Sequence, residues 1–175
     1  FTARNVQTAL EYEPTNADIY GQLGVIYFRS RNYEGSIFSL ECAIYGCSGE
    51  NSCIGRGLER CFPDLGENPV TVQGLPISPN TIVYYYIYGS VQAALSRERD
   101  NNCPQARKAF GEVMAELEAN PEDYADGRET IISIVEAGEE ICDSLESGIP
   151  LPDNTVPTQV GTEVGEEMAE DTPTP

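Results

Sequence analysis

The chain has 175 residues, 40% hydrophobic and 22% charged, with 29 Asp and Glu against 10 Lys and Arg and no His. That is enough for one domain and a tail. A net charge of −19 argues against DNA, RNA and anionic membranes as partners, because their phosphates would be repelled. No run is long and apolar enough to cross a bilayer, so no direct membrane insertion is expected. Neither an initiator Met nor a signal peptide is present, so the chain reads as processed or as part of a longer gene product.

In chain order, residues 1–12 are predicted as a helix with Val6, Ala9 and Leu10 on its apolar face. Tyr20, Leu23, Gly24 and Tyr27 then share one face of a second helix. "RSRN" interrupts, and Tyr33, Ser36, Ile37, Leu40, Ala43 and Ile44 form a third apolar face. Two short helices joined by a tight turn make a helical hairpin. Gly24, Ser36 and Ala43 let them approach closely, and packing offsets the roughly 1 kcal/mol that a helical glycine costs.

Repeat regularity stops at residues 46–79, a Gly-, Pro- and Cys-rich insertion too long for an ordinary turn. "VTVQGL" is predicted as one short strand, and "SPNT" as the cap of the next helix. Cys42, Cys47, Cys53 and Cys61 cluster here, while Cys103 and Cys142 stand apart. An even count suits disulfides, which would staple a segment with little core and place the protein outside the cytosol. Free buried thiols and a metal site are the alternatives, but without CxxC or His the usual zinc spacings are missing, so no metal is expected.

"TIVYYYIYGSVQAALSR" is a strong apolar helix containing Gly89. After the turn "ERDNN" comes a partner helix with Ala106, Phe110 and Val113 on one face, ending at Asn120-Pro121. A last helix, "DYADGRETIISIVEAGEEICDSL", carries Ile131, Ile134, Val135 and Ile141. If it runs back antiparallel, Cys142 comes to the height of Cys103, within the roughly 6 Å between Cα atoms that a disulfide spans. The other two bonds then lie within the cluster of four. Residues 148–175 are rich in Pro and Thr, with acidic and no basic residues. They are expected to be extended at least to Pro157 and to order only against their own domain, a neighbour or a glycan coat. Thr155, Thr158, Thr162, Thr172 and Thr174 are candidate O-glycan sites, and no N-x-Ser/Thr sequon occurs.

The pattern resembles the tetratricopeptide repeat (TPR), a helix–turn–helix unit of roughly 34 residues. Tyr20, Leu23, Gly24 and Tyr27 match its first helix, and Ser36, Leu40 and Ala43 its second. Ala9 and Pro14 fall one period earlier, and Gly89, Ala106 and Phe110 take the matching places in a looser later unit. The closing Pro is missing at Cys47-Ser48, and "ERDNN" makes its turn about five residues longer than the family norm. The resemblance, to an extracytoplasmic bacterial type with disulfides, implies an all-α solenoid over residues 1–147, with 46–79 as an inserted loop and 148–175 as a tail. It also implies a concave, partner-binding face including Tyr20, Tyr27, Arg31, Tyr84, Tyr85 and Tyr88; the tyrosines at 84–88 read by themselves first as helix packing and second as a groove or subunit interface, since consecutive helical residues point in different directions.

Chemistry is sparse. Without His, Ser-His-Asp and Cys-His arrangements are impossible, and phosphate and dinucleotide loops are absent. Glu139-Glu140 reads as a solvated helix face, and "DLGEN" lacks calcium-hand spacing. No catalysis and no cofactor are expected. The expected role is protein–protein interaction in the cell envelope or outside the cell. One form is head-to-tail self-assembly into a filament, with Val6, Ala9, Leu10, Ile131, Ile134, Val135 and Ile141 at the subunit interface. The other is a monomeric adaptor for a separate protein or peptide.

Overall fold

Helical spacing of the apolar residues becomes helices along most of the chain. The computed structural model describes residues 2–150. Among them are seven α-helices and no strand: α1 (Ala3–Tyr12), α2 (Ala17–Arg29), α3 (Tyr33–Ile44), α4 (Glu50–Gly55), α5 (Ile82–Leu95), α6 (Cys103–Ala119) and α7 (Arg128–Ser147). Single turns of 3-10 helix lie at Pro63–Leu65 and Pro121–Tyr124. Asn16 and Asn32 start α2 and α3 by accepting from the backbone N–H groups of Asp18 and Gly35, both at 3.1 Å.

The α2–α3 hairpin is locked where its small residues fall. Ser36 Oγ donates to the Gly24 carbonyl at 2.9 Å, and a side chain on Gly24 would collide with Leu40. α5 is the central helix: α2, α3, α6 and α7 all pack against it. α1 lies on α2, and α4 on α3. All six cysteines are bonded, Cys42 to Cys47, Cys53 to Cys61 and Cys103 to Cys142, with Cα separations of 4.8, 5.2 and 5.6 Å. The last bond ties the start of α6 to the far half of α7, so these two helices run antiparallel.

Several expectations need correction. The strand at "VTVQGL" is a single bridge, in which Cys47 and Val72 exchange backbone hydrogen bonds at 3.1 and 2.8 Å. Thr81 does not cap α5: its hydroxyl donates back to the Pro76 carbonyl at 2.7 Å. The insertion is not all loop, because α4 forms within it and buries Ser52 and Cys53. The final helix begins at Arg128, after Gly127 in the left-handed region (φ +98°), not at Asp123. The extended tail through Pro157 and the five candidate threonines lie outside the described residues beyond Pro150.

Candidate functional site

The tyrosines expected on a concave face are mostly interior. Tyr20 is fully buried, and its hydroxyl donates to the Pro14 carbonyl at 2.8 Å. Burial, opposed by the Arg56 charge, pushes its pKa up to about 12. Tyr84 lies over Gly21 and donates to Asp18 Oδ1 at 2.8 Å. Desolvation, then that bond, raises its pKa. Tyr85 donates to the Leu75 carbonyl at 2.7 Å. Burial, then the Glu41 charge, takes the buried Tyr88 up to about 12. The rings of Tyr85 and Tyr88 both meet Tyr45 edge-on, at 6.1 and 5.7 Å between centroids.

This corrects the partner-face assignment for Tyr20, and for Tyr84, Tyr85 and Tyr88 it decides for helix packing over the groove. A helix surrounded by four others buries side chains in several directions. Tyr27 is half-buried, accepts from Gln7 Nε2 at 3.0 Å, and sits under the backbone of Gly57. Arg31 is exposed, at the turn between α2 and α3, with φ +63°.

The proposed end-to-end contact fares similarly. Val6, Leu10 and Val135 are buried within the chain's own core. Ala9, Ile131, Ile134 and Ile141 are half-buried, and Ile131 and Ile141 pack on that same core. The end helices therefore close their apolar faces on α2 and α5. Val6, Leu10 and Val135 are thus not open to a head-to-tail contact, while Ala9, Ile131, Ile134 and Ile141 keep part of their surface.

The packing positions Leu23, Leu40, Ala43 and Ala106 are fully buried. Phe110 is wedged between α5 and α7, where a methyl on either Gly89 or Gly138 would fall on its ring.

Three features lay outside the sequence reading. Arg107 on α6 reaches across to α7, bonding Glu139 Oε2 at 3.0 Å, Asp143 Oδ1 at 2.7 Å and Glu146 Oε1 at 2.8 Å. Bonds to Glu146 and Glu139 raise its pKa further. Three-and-four spacing of acids at 139, 143 and 146 was the available signal, unreadable until α6 and α7 are known to be neighbours. Lys108 points the other way and places Nζ 3.9 Å from the centre of the Tyr45 ring. Beside the Arg107 network, a groove of about 380 Å³ runs between α6 and α7. Phe110, Met114 and Val135 form its apolar floor, Gly111 one wall, and Glu136, Glu139, Glu140 and Asp143 its rim.

Among the described residues, no cluster of His, Cys, Asp and Glu has the form of a metal site. No helix there is long and apolar enough to cross a membrane. Three disulfides are compatible with an oxidising, extracytoplasmic location. No protein-family model, curated protein or solved structure matches the chain.

Proposed function

We propose that this chain is a non-enzymatic protein–protein interaction module of the cell envelope or the extracellular space, a short TPR-like array that binds a separate protein or peptide. The observation carrying this reading is its pair of helical hairpins, α2–α3 and α5–α6. In each, a glycine of the first helix receives a bulky side chain of the second: Leu40 on Gly24, and Phe110 on Gly89. Stacked helical hairpins hold an extended surface rigid, which suits recognition.

Burial of Val6, Leu10 and Val135 inside the chain favours the adaptor over the filament. The test has two parts. Light scattering on the full chain is expected to give a monodisperse particle, and filaments would restore the self-assembling form. Photo-crosslinking residues scanned over exposed positions are expected to trap one protein from one patch. Trapping from no position would end the interaction reading.

A further inference from the structure

The three disulfides are not equally placed for attack. Exchange with an outside thiol needs one sulfur that the incoming thiolate can reach and another that can leave as a thiolate. Cys103 and Cys142 are both fully buried. Cys42–Cys47 and Cys53–Cys61 each join a buried cysteine to a half-buried one, Cys47 and Cys61. Reach alone therefore does not separate these two bonds.

The leaving sulfurs do. Expelled from its bond, Cys42 would bring a negative charge up to the Asn51 carbonyl oxygen, 3.6 Å from its Sγ. Cys53 meets a cation instead: Arg56 Nη2 lies 3.0 Å from its Sγ, nearer than the Glu67 carbonyl oxygen at 3.9 Å. Arg56 is held there by donating Nε to the Ser52 carbonyl at 3.2 Å and Nη2 to the Asn68 carbonyl at 2.7 Å. Among the described residues no carboxylate pairs with Arg56, so its charge is left for the sulfur. An adjacent arginine lowers the pKa of a thiol, and a thiol of lower pKa leaves faster. On the other side of the bond, Cys61 lines an open cleft of about 620 Å³, where Arg60 and Glu50 offset each other's charge.

What the bond holds is peripheral. No residue from 57 to 69 is buried, and Leu65 is 77% exposed. The far end of this segment is tied back to α4 by the Arg56–Asn68 hydrogen bond and by the Val70 N–H, which donates to Ser52 Oγ at 2.9 Å.

We propose that Cys53–Cys61 is a thiol-exchange site whose opening releases residues 57–69 from α4. The thiolate of an external thiol attacks Cys61 Sγ. The S–S bond breaks, its electron pair goes to Cys53 Sγ, and a new bond joins Cys61 to the reagent sulfur. A monothiol stops there, leaving Cys53 as a thiolate beside Arg56. A dithiol goes on: its second sulfur displaces Cys61, and the reagent leaves as its own disulfide. Two electrons have then passed to the protein, and the two protons the reagent gave up match those its two sulfurs can bind. This site stands apart from the interaction reading and can hold or fail without it.

The test takes the full oxidised chain under native conditions, adds dithiothreitol or a large excess of glutathione, quenches with acid at timed points, alkylates and maps the peptides by mass. Dithiothreitol should open Cys53–Cys61 at least about tenfold faster than Cys42–Cys47 while Cys103–Cys142 stays intact. The glutathione adduct is expected on Cys61. Amide exchange should then rise in 57–69 and stay slow in α2, α3 and α5. Arg56→Gln should slow the opening at least about threefold, and Arg56→Lys should restore much of the rate. A merely loosened segment would open faster, so the direction of the change separates charge from packing. The order of opening and the position of the adduct need no variant. Opening of Cys42–Cys47 first or in step with the others would overturn the proposal. So would a glutathione adduct absent or confined to Cys53, or a rate held or raised by Arg56→Gln.

Discussion

Gly138 lies against the ring of Phe110, so close that a single added methyl would overlap the ring carbons. Phe110 is 1% exposed and is pressed from the other side by Gly89. Three helices therefore meet at one aromatic ring, and the two glycines set their spacing. Gly138→Ala should lower stability by about 1–3 kcal/mol through overpacking, although alanine is the better helix former. Chemical denaturation is the measurement, with an unchanged denaturant slope showing that the unfolded state is unaffected. An equal or higher midpoint would mean that the ring moves aside freely.

The three disulfides should differ in worth according to the loop each closes. Cys103–Cys142 spans 39 residues and Cys42–Cys47 only 5. On loop entropy alone, replacing both cysteines of the longer pair with serine should cost about 4 kcal/mol, against about 2 for the shorter. Denaturation of the two double variants checks the order. A larger loss at Cys42–Cys47 would show that the local geometry of the insertion outweighs loop length.

Alkaline pH should unfold the protein. Tyr20 and Tyr88 titrate near 12 in the folded chain, against a usual value of 10.0. Folding thus favours the neutral phenol. That contribution is fully present below about pH 10 and is lost as pH rises towards 12, because the unfolded chain ionises first. Stability measured in short incubations should fall across that window. The part of the tyrosinate absorbance that Tyr20→Phe and Tyr88→Phe remove should appear together with loss of helix; its early, smooth appearance would mean that these hydroxyls are open to water.

Leu10→Ala distinguishes a core residue from an interface residue. Leu10 is 1% exposed within the chain. Its truncation should cost about 2–5 kcal/mol at any protein concentration. A loss confined to high concentration would instead mark Leu10 as part of a contact between copies.

The helices were legible because their signals are local. Tyr20, Leu23, Gly24 and Tyr27 mark a helix by spacing alone, and Gly24 predicts close approach by a second helix. The side of each helix that meets another is not a local property. Tyr84, Tyr85 and Tyr88 fit either packing or a groove until α5 is found at the centre of the packing. Val6 and Leu10 look unpartnered until α1 is laid on α2. The Arg107 network was invisible for the same reason, since its partners lie 32–39 residues away in the chain. Thr81 misled because a Ser-Pro-Asn-Thr run can form a turn of its own, and its hydroxyl serves that turn.

The Cys103–Cys142 bond also governs how the protein would respond to a pull. Tension applied through the two ends passes across the bond and bypasses everything between the two cysteines. The 39-residue separation corresponds to roughly 130 Å of extended chain that never enters the stretched length. Most of α6 and much of α7, with the groove they form, therefore sit in a closed loop shielded from load, while α1 to α5 lie in series with the force. Under oxidising conditions the segment between Cys103 and Cys142 would never be drawn out along the line of force, whatever unfolds before it.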